Sequence, residues 1–539
     1  MGEVLAEGAT VATTAGKVRG STKDGVLVFR GIPYASPPVG ELRFMPPAPP
    51  APWTGVKDAH AYGWTAPQLN PMPPGRAPAA PDPSIKRYPS LFAGGGDPVP
   101  ENEDCLFLNV WTPSTTGKRA VMFWMHGGGF STGSGSSTWY EGVNLARKQD
   151  VVVVTINHRL NVTGHCDLSA YGAEYVRTGN AGMLDCVAAL EWVRDNISAF
   201  GGDPDRVLIH GESGGGRKTS MMMAFEPARG LFHRAAVQSG SALRMDGREL
   251  AQEKTRRLFA ELDIPEGDVA RLKEVPLRDL KRAAGVAMSG LGQWRPVVDG
   301  VDLPRQPYHP DAAPLNADIP LIIGTNRTEL SAFMGGSGAM DVLTDDALTA
   351  QIATIVPRER ATETLAMYRR LYPRSSNAEI AYMANTDRGY FLDSTIQAAM
   401  RVEAKQAPTY LYSFYRETPV ADGRYFAPHA SEIPFVFDTL ANGERMVGPV
   451  TAEAQALADQ ISACWANFAK TGVPSAPGLP DWTPYNAERA SMIFDYQSRI
   501  ENDPRGEQRA WMLGFGSQQD WESELRTDGT GGQAPPTGF

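Results

Sequence analysis

The chain has 539 residues, 42% hydrophobic and 21% charged, an ordinary globular composition that excludes a disordered scaffold. Its 51 basic and 61 acidic side chains give a formal charge of -10, which disfavours general binding to nucleic acid or to an anionic membrane surface. Length alone leaves the domain count open, because one large α/β sheet often exceeds the average domain size.

Met1 to Thr10 shows neither a basic nor an apolar leader-like region, and no stretch reaches the roughly 18 uninterrupted apolar residues of a membrane span. The expected location is the cytoplasm, although a leader removed beforehand would leave the same text. The four cysteines, Cys105, Cys166, Cys186 and Cys464, form no CxxC pair and no Cys/His cluster at zinc spacing. Reduced, buried thiols are expected, and neither a metal nor a cofactor is implied.

In chain order, residues 67–100 come first, with ten prolines and the run Gly94-Gly-Gly96, and they predict a long surface loop, either one that shapes a site entrance or a mere covering loop. Val121 to Met125 and Val151 to Ile156 are short apolar runs of the kind buried on both faces of a parallel sheet. Leu184, Val187, Ala188, Leu190, Val193 and Ile197 recur at helical spacing, and the strand Val207-Leu-Ile209 follows. Strand, helix, strand makes a parallel crossover. Helical composition returns over 249–285 and 345–371, with a further strand at Leu321-Ile-Ile323 between them. The alternation predicts an α/β fold with a large, mostly parallel central sheet and helices on both faces. One domain is expected over residues 1–515, followed by a poorly ordered Gly-, Gln- and Pro-rich tail over 516–539.

Gly211-Glu-Ser-Gly-Gly215 follows a predicted strand and precedes small residues that can start a helix, the context of a nucleophile elbow with Ser213 at its tip. His126-Gly-Gly-Gly-Phe130 follows another predicted strand, and its glycines leave backbone N–H groups unshielded. Gly128 and Gly129, with Gly214, are therefore the candidate donors for an oxyanion; one such donor is worth about 3–4 kcal/mol in a transition state. In this arrangement the acid and then the histidine follow the serine in the chain. Of eight histidines only His233, His309 and His429 lie beyond Ser213, and His233 is too close to return from another loop. Glu329 lies just past the end of the strand Leu321 to Gly324, whereas Asp318 precedes it. Only His429 follows Glu329. The predicted triad is Ser213, Glu329 and His429, with the carboxylate orienting the imidazole.

These residues sit within longer matches: Phe29-Arg-Gly-Ile-Pro-Tyr-Ala35, Glu103-Asp-Cys-Leu-Phe-Leu-Asn-Val110, Asn157-His-Arg-Leu160 and Phe200-Gly-Gly-Asp-Pro-Asp-Arg-Val207. Gln238-Ser-Gly240, Pro296-Val-Val-Asp-Gly300, Gly324-Thr-Asn-Arg-Thr-Glu329 and Glu432-Ile-Pro-Phe-Val-Phe437 continue the pattern. Across nearly its whole length the chain resembles the type B carboxylesterase family, which includes the cholinesterases, and within it the bacterial para-nitrobenzyl esterase branch. The resemblance implies an α/β-hydrolase fold, a serine carboxylesterase acting on a small-molecule ester, no nucleic-acid or membrane partner, and a monomer or homodimer. It assigns the same triad, places Glu212 and Ser239 near the histidine, and makes Arg43 with Glu103 and Arg159 with Asp185 structural ion pairs.

It also places Phe130, Trp294, Phe333, Phe435 and Phe437 around a substrate pocket, which implies aromatic or medium-sized apolar esters, although each aromatic could equally be core packing. The sequence departs from the family in three ways. No cysteine precedes Cys105, so the disulfide of extracellular members cannot form. The usual Ala after the nucleophile is Gly214. Arg217 and Lys218 stand where small or neutral residues are usual, and they predict either a neighbouring carboxylate such as Glu226 or contact with a carboxylate on the substrate. A phosphate loop over Gly211 to Thr219 fails because Arg217 separates Gly216 from Lys218. A non-catalytic adhesion protein on the same fold is disfavoured because all three triad positions are present; an amidase or carbamate hydrolase would use the same machinery.

Overall fold

The computed structural model describes residues 6–69, 86–92 and 99–520; the remainder of the predicted loop, and residues 521–539 of the predicted tail, lie outside the described residues. The strands in chain order are β1 (Ala6–Ala12), β2 (Lys17–Lys23), β3 (Val26–Pro33), β4 (Val56–Asp58), β5 (Phe107–Thr112), β6 (Arg119–Met125), β7 (Val152–Ile156) and β8 (Gly202–Glu212). They continue with β9 (Arg234–Gln238), β10 (Asp246–Gly247), β11 (Val297–Val298), β12 (Leu321–Asn326), β13 (Thr409–Phe414), β14 (Ala490–Phe494) and β15 (Arg499–Asn502). One sheet runs β1-β2-β3-β5-β7-β6-β8-β9-β12-β13-β14-β15, with β4 beside β2 and β10 paired separately with β11. From β7 through β14 every pairing is parallel, and the outer strands of that order pair antiparallel, while β4 lies parallel to β2.

Strand alternation divides the core in two. In β6, Val121, Phe123 and Met125 face one apolar layer together with Leu190 and Val193 of the helix Ala181–Asn196. Met122 and Trp124 face the other, with Trp465 and Phe468 of the helix Ala452–Thr471. Period-two side chains buried on both faces explain why β6, β7 and β12 read as unbroken apolar runs. Each fully buried Val, Leu or Phe contributes about 1.5–3 kcal/mol, so the central strands anchor everything at their C-terminal ends.

The ion pairs Arg43–Glu103 and Arg159–Asp185 both form, the latter through two bonds of 2.7 and 2.8 Å in the buried core. All four cysteines are buried and free. Among the described residues no helix is long and apolar enough to cross a membrane. The start of the expected tail is tied down. Ser517 Oγ donates to Asp393 Oδ1 at 2.7 Å, and Gln519 Oε1 accepts from the N–H groups of Leu243 and Arg244.

Candidate active site

β8 ends at Glu212 and the helix Gly214–Met222 begins two residues later, leaving Ser213 between them at φ 57° and ψ -119°. A side-chain-bearing residue in this region stores about 1–3 kcal/mol of strain and persists only when its surroundings hold it. Here Ser213 N–H donates to Gln238 O at 2.8 Å, and Ser213 O accepts from Arg217 N–H at 2.9 Å. The turn also needs a glycine at 215, because a Cβ there would stand 1.9 Å from Met125 O on the neighbouring strand.

Glu329 follows the C-terminal end of β12 and is fully buried. Its Oε2 accepts from His429 Nδ1 at 2.6 Å, and its Oε1 accepts from Ser239 Oγ at 2.6 Å and from Asn326 N–H at 2.7 Å. With the proton held on Nδ1, the neutral imidazole presents a lone pair at Nε2. That atom lies 3.0 Å from Glu212 Oε1 without hydrogen-bond alignment. The rings of Phe333 and Tyr390 each sit 5.2 Å from the imidazole. Burial disfavours the imidazolium, but the Glu212 and Glu329 carboxylates outweigh it and raise His429 to about 9. Burial pushes Glu212 well above the usual carboxyl range. Glu432, accepting from Gln238 Nε2 and Asn326 Nδ2, is pushed up to about 7, first by burial and then by the charge of Glu329.

Beyond β6 the chain turns through the three glycines, where Gly128 (φ 89°) and Gly129 (φ 63°) adopt left-handed backbone that favours glycine. Every carbonyl of this loop has a partner. Gly127 O accepts from His126 Nδ1 at 2.9 Å, and Gly128 O accepts from Ser131 and Thr132 N–H at 3.2 and 3.0 Å. Gly129 O and His126 O accept from Lys218 Nζ at 2.8 and 3.2 Å. In trans peptides the Gly128 N–H points opposite the held Gly127 O and the Gly129 N–H opposite the held Gly128 O, and among the described residues neither N–H meets a protein acceptor. A cavity of about 1330 Å³ brings these glycines together with Ser213, Glu212 and His429. Gln68, Leu69, Ser90, Phe92 and Val99, from the described parts of the proline-rich segment, line it as well.

Comparison with known proteins now decides the lineage: the model of the carboxylesterase family matches residues 7–511. The chain belongs to the carboxylesterase family. It is a carboxylic ester hydrolase of the α/β-hydrolase fold. The para-nitrobenzyl esterase of Bacillus subtilis is 37% identical over 511 residues, covering 93% of this chain and 97% of that protein. A phenmedipham hydrolase of Pseudarthrobacter oxydans is 33% identical, with 89% and 94% covered. Among solved structures, a carboxylesterase of Geobacillus stearothermophilus superposes with a TM-score of 0.77 at 36% identity, covering 93% of this chain and 99% of that one.

For this carboxylesterase the structure gathers Ser213, Glu329, His429, Glu212, Ser239, Gly128 and Gly129 at one end of the sheet, and Gly214 supplies the first N–H of the helix after the serine. Of the predicted pocket aromatics, Phe333 lines the cavity. Phe130, Trp294, Phe435 and Phe437 do not; all are at most 1% exposed. Trp294 donates to Ala284 O in the packing beneath the helix Leu277–Ala287, while Phe435 and Phe437 fill the core under β6 and β13. Aromatic residues in a run read alike whether they face a pocket or a core.

Arg217 and Lys218 also lie outside the cavity lining. Glu226 pairs with Arg229 rather than with either cation. Arg217 is half-buried, and its charge acts on the buried Asp393 carboxyl. Lys218 is fully buried, packs over the Phe130 ring at 5.2 Å and is pulled down to about 7 by burial. Sequence reasoning missed Tyr390, Glu432, Tyr140 and Gln293, which surround the site without belonging to any local motif that marks chemistry. Tyr390 lies on a π-helical turn, Asp387–Phe391, of a type that is rare and often found at functional sites.

Proposed function

We propose that the enzyme hydrolyses small to medium carboxylic esters through an acyl-enzyme on Ser213, with His429 as general base and Glu329 as its orienting acid. The observation that carries this reading is the 2.6 Å bond from His429 Nδ1 to Glu329, which leaves Nε2 beside Glu212 but without a hydrogen-bond partner, on a residue that lines one cavity with Ser213. Ser213 Oγ adds to the ester carbonyl while its proton passes to Nε2. The carbonyl oxygen becomes an oxyanion facing the N–H groups of Gly128, Gly129 and Gly214. Collapse expels the alkoxide, which takes the proton from Nε2; water, activated by the same nitrogen, then releases the acid and restores Ser213.

Glu329, already bonded to Ser239 and Asn326, cannot turn away, so it holds the ring and stabilises its cationic form during transfer. The stacked pair Phe92–Phe333, 5.4 Å apart beside the histidine, gives one wall an aromatic surface. Aromatic or medium-sized apolar esters fit that wall better than long-chain fats, and the similarity to a para-nitrobenzyl esterase supports the same class. Ser213→Ala tests the reading: turnover of a nitrophenyl ester is expected to fall by ~10⁶, as for a serine protease nucleophile, with the fold intact by circular dichroism. Retained turnover would remove Ser213 from the mechanism.

A further inference from the structure

Lys218 is a cation with 0% exposure in the first turns of the helix Gly214–Met222, and among the described residues no carboxylate is within ion-pair distance of it. Such a group is expensive to bury, and what compensates it here is main chain. Its Nζ donates to Gly129 O at 2.8 Å and to His126 O at 3.2 Å, and the ammonium faces the Phe130 ring at 5.2 Å. Those two carbonyls bracket the glycine turn that carries the Gly128 and Gly129 N–H groups. A second observation shows how closely the turn is drawn in. A Cβ on Gly214 would stand 2.1 Å from Gly129 O and 2.4 Å from Gly129 N, so backbone meets backbone with no space for a side chain.

From this we infer that Lys218 is a positioning residue for the oxyanion donors: it clamps the glycine turn from behind against Gly214 and so fixes the direction of the Gly128 and Gly129 N–H groups. The inference rests on the acyl-enzyme reading of Ser213. Both protonation forms can do this, since a neutral amine still carries two N–H donors for two carbonyls. The cation adds a positive charge at the two peptides, His126–Gly127 and Gly129–Phe130, that flank the donor peptides on either side, in a water-excluded place where it is weakly screened. Of the titratable groups that act on it or on which it acts, His126, His158, His165 and Cys186 are held neutral by burial, and the adjacent Arg217 adds a second positive charge.

The test compares wild type, Lys218→Met and Lys218→Gln with a nitrophenyl ester and with an aryl trifluoromethyl ketone. Addition of Ser213 Oγ to the ketone carbonyl gives a hemiketal oxyanion in the same donors, the proton passing to His429. Met keeps the stem and removes the donors, so kcat is expected to fall ~10–100-fold with KM within about 3-fold, and ketone affinity to weaken in parallel. Gln, which can still donate to Gly129 O, is expected between Met and wild type. Where Met does not fold, Gln decides the matter, because it lacks the charge and cannot reach both carbonyls as the amine does. A folded Lys218→Met, or Lys218→Gln where Met does not fold, with wild-type kcat and ketone affinity overturns the inference, as does a loss confined to KM. Wild-type enzyme that hydrolyses no ester and takes no label on Ser213 would fault the underlying reading instead.

Discussion

Ser213, Glu329 and His429 come from three distant stretches of chain, and each was legible because a local signal survives in its neighbours: a glycine-flanked turn, the end of an apolar strand, and chain order. Lys218 left no such signal of role, because its partners are main-chain carbonyls 89 and 92 residues away. Glu212, which the family resemblance placed near the histidine, lies beside His429, and its consequence is electrostatic. His429 must be neutral to accept the Ser213 proton, so kcat/KM is expected to rise with pH. The two carboxylates that raise His429 to about 9 place that rise above the ordinary 6.5. Glu212→Gln removes one of them and is expected to shift the acid limb to lower pH, by an apparent pKa that belongs to the coupled pair. A profile of kcat/KM from about pH 5 to about pH 10 for both proteins checks this; an unmoved limb, or one moved upward, contradicts the assignment of the base.

Central elements were readable from their apolar runs, since β6, β7, β8 and β12 are buried on both faces. β9 and β13 were missed because Ala, Thr, Tyr and Ser dilute the apolar signal, yet both are almost wholly buried and sit beside β12. The helix after Ser213 opens on three glycines, poor helix formers whose presence is explained by contact rather than propensity. Gly215→Ala tests that contact. Its Cβ would meet Met125 O at 1.9 Å, strand backbone that cannot swing aside. Stability is expected to fall by about 1–3 kcal/mol in chemical denaturation, with ester turnover falling further than stability because the elbow itself is displaced. Unchanged stability would show that β6 and the helix start are not packed as described.

For the whole molecule, family and fold followed from motifs spread over most of the chain, whereas substrate preference did not, because a cavity wall is assembled from separate segments. Phe92 and Phe333 stack across 241 residues of sequence to form the apolar side, while Glu101, paired with Lys281, makes part of the lining polar. An ester series varying in acyl length is expected to show kcat/KM falling for long acyl chains and favouring aryl over alkyl alcohols; Phe333→Ala is expected to reduce the aryl preference about 10-fold, the size of one lost hydrophobic contact of 1–3 kcal/mol. Equal rates across the series would remove the aromatic wall from specificity. The central claim, that one serine carries the acyl group, is tested most directly by peptide mapping after exposure to an organophosphonate. One adduct per chain, on Ser213, accompanied by loss of ester turnover and absent from Ser213→Ala, is the predicted result. Full inactivation with the adduct elsewhere, or turnover that survives complete labelling of Ser213, would contradict it.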